Sequence, residues 1–547
     1  MEEKRSGRLY VWMPLLSALI MILGMTLGFK LRDTLRHKRD IQAIIERNDR
    51  LEEIIDLVNE RYVDTINTNL LYRDAVTGIL SHLDPHTVYI TAEELQEVNE
   101  DLEGSFFGIG VEFYIIRDTI QVTSVVENGP AQKAGIGVGD KFIKVDDTLV
   151  AGTGITSEGI IALLRGKQHT QVQIRIKDAL NGQYRNVAVT RDVIPLYSVD
   201  ASLMLDTATG FIRISRFSAT TADEFVKALK GLQSAGMRRL ILDLRQNPGG
   251  FLDAAVKIAD QLLDGEKLIV YTEGRKSRKE AYTAGEPGLF EQGRLVVLVD
   301  ESSASASEII AGAVQDWDRG IIAGRRTYGK GLVQEQYNLE DGSALRLTTA
   351  RYYTPSGRSI QRSFAEGKEA YQEAFAKRFT NNVLAGEDTA TEDTVKYYTA
   401  RKRVVYGGGG ITPDVFISYD TARLSSGLLT MTFSDELRDV LWDYYTARRQ
   451  ELRRYRDARD FDRNFRDAGT LVRSYLAALN TFDRAAAARV LSQQAYLQYF
   501  QVQVKAQMAR ILFGSKGYYT ISLQQDNAVQ QALGLLRKGR YSEIIGR

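Results

Sequence analysis

Hydrophobic positions along the chain change their spacing several times, and each change marks a different kind of element. An unbroken apolar run from Leu9 to Phe29 carries no charged residue. At about 20 residues it is long enough to span a bilayer. Residues 34 to 101 then read as helices, with Ile41, Ile44, Ile45, Leu51, Ile54, Ile55 and Val58 at helical spacing. The stretch LDPHTVYIT (Leu83 to Thr91) breaks that pattern at Pro85. Residues 102 to 193 carry short β-type runs (VEFYI, TIQVTSVV, DKFIKVDDTLV, VQIRI, RNVAVT) between glycine-rich turns, with one helical segment, TSEGIIALLRG. From 194 to 420, strand-like GFIRI, RLILDLR, RLVVLVD and GIIAG alternate with amphipathic DEFVKALKGL, FLDAAVKIADQLL and ASEIIAGAVQDW. That alternation predicts an α/β layer structure. Residues 421 to 547 are helical in pattern, with Ser434, Asp435 and Glu436 at a helix start.

The predicted organisation is therefore a membrane anchor (1–33), a helical lead-in (34–101), a β-rich unit (102–193), an α/β core (194–420) and a helical C-terminal region (421–547). A length of 547 residues suits several cores. A cleaved signal peptide is the rival reading of Leu9 to Phe29, but no small-x-small cleavage site stands out. Basic residues flank this run on both sides, Lys4, Arg5 and Arg8 before it and Lys30, Arg32, Arg36, Lys38 and Arg39 after it. They do not set its orientation. A dimer-forming arm is a second reading of the lead-in helices.

Charge and composition remove several classes of function. Lys plus Arg number 71 and Asp plus Glu 70, so no overall field draws in nucleic acid. The Arg-rich stretch from Arg448 to Asp467 is interspersed with acids and reads as a solvated helix face. There is no cysteine, hence no thiolate metal site and no Cys nucleophile. All four histidines (His37, His82, His86, His169) precede position 170.

Candidate chemistry lies in three segments. In VDESSASASEIIAGAVQDW a strand ends near Asp300 and a helix starts around Ser305. A hydroxyl at a helix start meets free N–H groups and the positive end of the dipole. In GRRTYGKGLVQEQ, Lys330 stands between Gly329 and Gly331, with Gln334 beyond. A serine needs a base: a Ser–His site would have to borrow its histidine from the β-rich unit or the lead-in helices, whereas a lysine can serve only if burial keeps it neutral. A helix and an extended return of this length can bring Lys330 back to the level of Ser305. Gly324-x-x-x-x-Gly329-Lys330 imitates a phosphate-binding loop, but Gly331 stands where that loop needs Ser or Thr. The third segment, LILDLRQNPGGFLDAAVKIADQLL, joins a strand to a helix through a Pro-Gly-Gly turn that can offer an N–H.

Together and in this order, the three segments resemble the carboxyl-terminal processing peptidases, or tail-specific proteases. LDPHTVYI, YYTPSGRSIQ (Tyr352 to Gln361) and GGGGITPDV (Gly407 to Val415) add to the resemblance, which spans about residues 40 to 420. It implies a ClpP/crotonase-like ββα-spiral core with an inserted PDZ domain. It also implies Ser305 as nucleophile, Lys330 as general base 25 positions later and Gln334 as the residue that positions the lysine. The oxyanion would rest on the N–H of Ala306 and of Gly249 or Gly250. No metal and no cofactor is implied.

SFFGIGVEF resembles a PDZ carboxylate-binding loop, in which Gly108, Ile109, Gly110 and Val111 would grip a substrate's terminal carboxylate while the peptide adds a strand beside VEFYI. The expected partners are proteins or peptides with accessible carboxyl termini and, through the N-terminal segment, a membrane. A homodimer and an adaptor lipoprotein are also admitted. The expected location is the bacterial inner membrane, single-pass, with the catalytic part in the periplasm. A catalytically silent PDZ scaffold of the same fold is the competing reading.

Overall fold

The computed structural model describes residues 50–379, 395–420, 426–537 and 540–546. The apolar segment Leu9 to Phe29 lies outside them. Among the described residues no helix is long and apolar enough to cross a membrane. Two units are distinguished, divided between Leu83 and Asp84. In the first, helices Arg50–Arg61 and Thr68–Ser81 are described, the second capped by the Asn67 side chain on the N–H of Leu70.

The centre of the second unit is a six-stranded sheet. Its spatial order is Val199–Met204, Thr209–Ile214, Arg239–Asp243, Arg294–Val299, Ile321–Gly324 and Val415–Phe416, antiparallel at the first pair and parallel thereafter. Both faces are covered, which explains why its strands are nearly continuous apolar runs. Alternate residues divide between the faces. Leu240, Leu242, Leu295, Val297 and Val299 pack on helices Thr221–Ser234, Leu252–Asp260 and Ala306–Asp316. Ile241, Val296 and Leu298 point the other way, onto Val529, Ala532, Leu533 and Leu536 of helix Asn527–Arg537. The helical C-terminal region, for which the motifs gave no role, thus supplies one wall of the α/β core.

A second, antiparallel sheet carries Val88–Ile90, Leu268–Glu273 and Leu332–Asn338, all paired to the long strand Ala344–Tyr353, with Glu280–Thr283 at its edge. Here the structure departs from a wholly helical lead-in. LDPHTVYIT forms an acid-anchored turn and a strand, because Asp84 accepts the N–H groups of His86 and Thr87 and the Thr87 hydroxyl. This brings residues 84–90 into the same sheet as the segment after Lys330.

Residues 111–190 form a separate antiparallel sheet in the order Val111–Ile115, Ile120–Val125, Lys141–Val145, Gln171–Lys177 and Tyr184–Thr190. Its core includes Ile120, Val122, Phe142, Val172, Ile174 and Ile176, closed by Ile160 and Leu164 of helix Ser157–Leu164. The chain enters and leaves through one ribbon, Ser105–Gly108 against Asp192–Pro195, as an inserted unit requires. This sheet leans on the C-terminal helices. Ile116, in its first hairpin, is buried in their core. The indole N–H of buried Trp442 donates to Gln121 Oε1 at 2.6 Å, and Arg117 pairs with Asp443.

Candidate active site

Ser305 stands between the strand Arg294–Val299 and the helix Ala306–Asp316, with φ 51° and ψ −112°. This is a costly conformation for a side-chain-bearing residue, and such strain collects at functional turns. The neighbouring serines have other tasks. Ser303 and Ser307 are buried, their hydroxyls donating to Leu244 O at 2.8 Å and Asn247 O at 3.1 Å. Ser305, by contrast, lines a cleft of about 1210 Å³ together with Gly249, Gly250, Lys330, Gln334, Arg346 and Tyr352.

The serine and lysine turns are joined by two buried groups that the motif reading did not single out. Glu308 Oε2 accepts the N–H of Ser305 at 2.8 Å and of Lys330 at 3.0 Å. Its Oε1 accepts the N–H of Gly329 at 2.7 Å and the Thr327 hydroxyl at 2.6 Å. From another direction the Tyr352 hydroxyl lies 2.8 Å from Lys330 O and 3.1 Å from Ser305 O. The spacing Ser305-x-x-Glu308, that of a helix capping box, is the sequence signal that points to Glu308. Tyr352 opens the YYTPSGRSIQ segment, which gives no sign that its hydroxyl reaches these two carbonyls. Burial pushes the Glu308 carboxyl above its ordinary value, and the four donors oppose that rise.

The Lys330 amine donates to Gln334 Oε1 at 2.9 Å, and Gln334 Nε2 donates to His86 O at 2.5 Å. The carbonyl of His86 therefore fixes which end of the amide faces the lysine. No hydrogen bond joins the Ser305 hydroxyl to the amine among the described residues. Burial lowers the Lys330 pKa, and the Arg346 guanidinium lowers it further, against the opposing pull of Asp84 and Glu308. A buried amine with an amide acceptor and no salt bridge has the environment of a neutral base. His86 is bound at Nε2 to the Tyr371 hydroxyl at 3.0 Å. Burial, then the Lys330 charge, lowers its pKa to about 4.

The Pro-Gly-Gly turn lies against the nucleophile turn. A Cβ on Gly249 would stand 2.7 Å from Ser305 Cβ and 3.0 Å from Ala306 N. The N–H of Gly249 is taken by Asn247 Oδ1 at 2.9 Å. The N–H groups of Gly250 and Ala306 have no hydrogen-bond partner among the described residues. In the inserted sheet, Gly110 takes φ 75° and the N–H groups of Ile109 and Gly110 are likewise unpartnered. Gly108 pairs with Asp192 in the entry ribbon, and Val111 begins the edge strand Val111–Ile115. Among the described residues no cluster of side chains suits a metal ion.

The model of peptidase family S41 matches residues 208–367, and that of the PDZ domain matches 121–178. The carboxy-terminal-processing protease of Bartonella bacilliformis is 36% identical over 318 residues, covering 57% of this chain and 72% of that one. The chain belongs to peptidase family S41. It is a serine-type peptidase with a PDZ domain. A further S41 relative, named "Probable CtpA-like serine protease", from Staphylococcus saprophyticus, is 33% identical over 355 residues, covering 63% of this chain and 71% of the relative. Among solved structures, the photosystem II D1 C-terminal processing protease shares 27% identity at a TM-score of 0.34, covering 68% of this chain and 87% of that one.

Proposed function

We propose that this S41 peptidase cleaves substrates near their carboxyl ends through a Ser305–Lys330 dyad. The observation that carries the reading is the buried Lys330 amine, held by Gln334 in the cleft that Ser305 lines. A neutral amine donating to Gln334 Oε1 keeps its lone pair for the Ser305 hydroxyl, which lines the same cleft. Ser305 Oγ then bonds to the scissile carbonyl carbon as its proton passes to Lys330. The tetrahedral oxyanion rests on the N–H of Ala306 and of Gly250. On collapse the C–N bond breaks and the lysine returns the proton to the leaving amine. Water, deprotonated by the same lysine, hydrolyses the acyl-enzyme. Between the two glycines, the free N–H of Gly250 supports it over Gly249, whose N–H is already bonded.

The PDZ domain would supply selection. A terminal carboxylate on the N–H groups of Ile109 and Gly110, with the peptide extending beside Val111–Ile115, fits an edge strand paired on one side only. The exposed Leu51, Ile54 and Leu57 of the helix Arg50–Arg61 support a homodimer arm. A membrane anchor at Leu9 to Phe29, a periplasmic catalytic part and an adaptor lipoprotein belong to the same reading. Ser305→Ala and Lys330→Ala should each abolish hydrolysis of a fluorogenic peptide ending in a free apolar residue. Lys330→Arg should fail too, since a guanidinium stays protonated. Residual turnover in purified Ser305→Ala would end this reading, and the silent scaffold would be favoured if the native enzyme hydrolysed nothing.

A further inference from the structure

We propose that Asp526, in the C-terminal helical region, is a positioning residue for the peptidase site, acting through Arg245 on the turn that offers the Gly250 N–H. The inference rests on the dyad reading above. Asp526 grips Arg245 in two-pronged fashion, Nη1 to Oδ1 at 3.1 Å and Nη2 to Oδ2 at 2.9 Å. Such paired bonds fix orientation as well as position. The rest of the guanidinium belongs to Asp243, with Nε at 2.8 Å and Nη2 at 2.7 Å. Asp243 is fully buried and also accepts Arg213 Nη1 at 2.9 Å, while Asp200 approaches Arg213 Nε at 3.6 Å. Among the described residues Arg245 Nη1 therefore depends on Asp526 alone, and without it a half-buried charged donor loses its protein partner.

The turn reacts to that loss because Arg245 is its first residue. Gln246 follows with φ 59°, its N–H on Asp300 and its side chain 3.3 Å from Arg213 Nη2. Asn247 O then holds the N–H of Ala304 at 3.0 Å, and Gly249 abuts Ser305. A shift of Arg245 is thus passed to the Gly250 N–H across a few covalently linked, hydrogen-bonded residues. Asp526 has a second task, since Oδ1 also accepts the N–H of Val529 and caps the helix Asn527–Arg537. The test must separate the two.

Asp526→Ser keeps a helix cap but cannot bridge to Arg245, whereas Asp526→Glu keeps the charge and weakens the cap. The full chain is assayed with a fluorogenic peptide, and a peptide boronic acid reports tetrahedral-adduct affinity. Asp526→Ser should lose about 10- to 100-fold in kcat, with KM within about twofold and boronate affinity falling in parallel. Asp526→Glu should stay near the native kcat. Native kcat in Asp526→Ser, or an equal loss in both variants, would overturn the proposal. Ser305→Ala is run alongside. An inactive Ser305→Ala with a fully active Asp526→Ser sinks only this inference, whereas an active Ser305→Ala sinks the dyad itself.

Discussion

Glu308 accepts the main-chain N–H of Lys330 on the same oxygen that accepts the N–H of Ser305, although Glu308 and Lys330 stand 22 residues apart in the chain. One buried carboxylate thereby ties the Ser305 turn to the Lys330 turn. Glu308→Gln would present an amide nitrogen to main-chain donors and leave at least one of them unpaired. The expected outcome is a loss of about 100-fold or more in kcat, with a destabilisation of about 1–3 kcal/mol for each stranded buried donor. Turnover and a urea titration measure the two together, and native kcat would contradict the role given to Glu308.

Activity should fall as pH drops through the lowered Lys330 pKa, because only the unprotonated amine can take the serine proton. Arg346→Met removes the charge that adds to burial in lowering that value. The acidic limb of kcat against pH should therefore move to higher pH in this variant. An unmoved limb would mean that the guanidinium does not reach the amine electrostatically.

His86 provides a separate pH signature. Its folded-state pKa of about 4 lies below the ordinary histidine value of 6.5. Between those two pH values the unfolded chain binds more protons than the native one, so stability rises with pH across that window and is flat above it. An NMR titration of the His86 ring should give the depressed value, and a denaturation series should show the slope. A His86 pKa near 6.5 would show that its ring is not buried against Tyr371 in solution.

Substrate choice gives a test of the PDZ loop that leaves the domain in place. Amidating the carboxyl end of a peptide removes the charge that the N–H groups of Ile109 and Gly110 would hold. KM should rise about tenfold, the loss of one charge-assisted hydrogen bond, with kcat little changed. Equal KM values for the free acid and the amide would count against carboxylate recognition.

The core strands, the helices between them and the turns that carry Ser305 and Lys330 are legible because each is local. Continuous apolar runs announce strands covered on two faces, and a Ser-rich turn before a helix or a lysine between glycines is visible within a dozen residues. What stayed hidden depends on distant pairing. Tyr352 looks like any strand tyrosine until the sheet brings its hydroxyl to two carbonyls. LDPHTVYIT reads as a break in a helical region, yet its partner strand begins at Ala344 and its His86 carbonyl orients Gln334. Asp526 draws no reading from the sequence, since its partner Arg245 lies 281 residues earlier. The helical pattern of 421–547 was plain, but periodicity alone does not say which sheet a helix covers.

That covering has a consequence for the order in which the enzyme is made. Ile241, Val296 and Leu298 emerge from the ribosome long before the helix Asn527–Arg537 that shields them. Until that helix has been synthesised, one side of the sheet lacks its cover and Arg245 has Asp243 but not Asp526 as a carboxylate partner. A nascent chain that already carries Ser305 and Lys330 therefore still lacks one wall of its central sheet and the Asp526 brace on the turn that begins at Arg245.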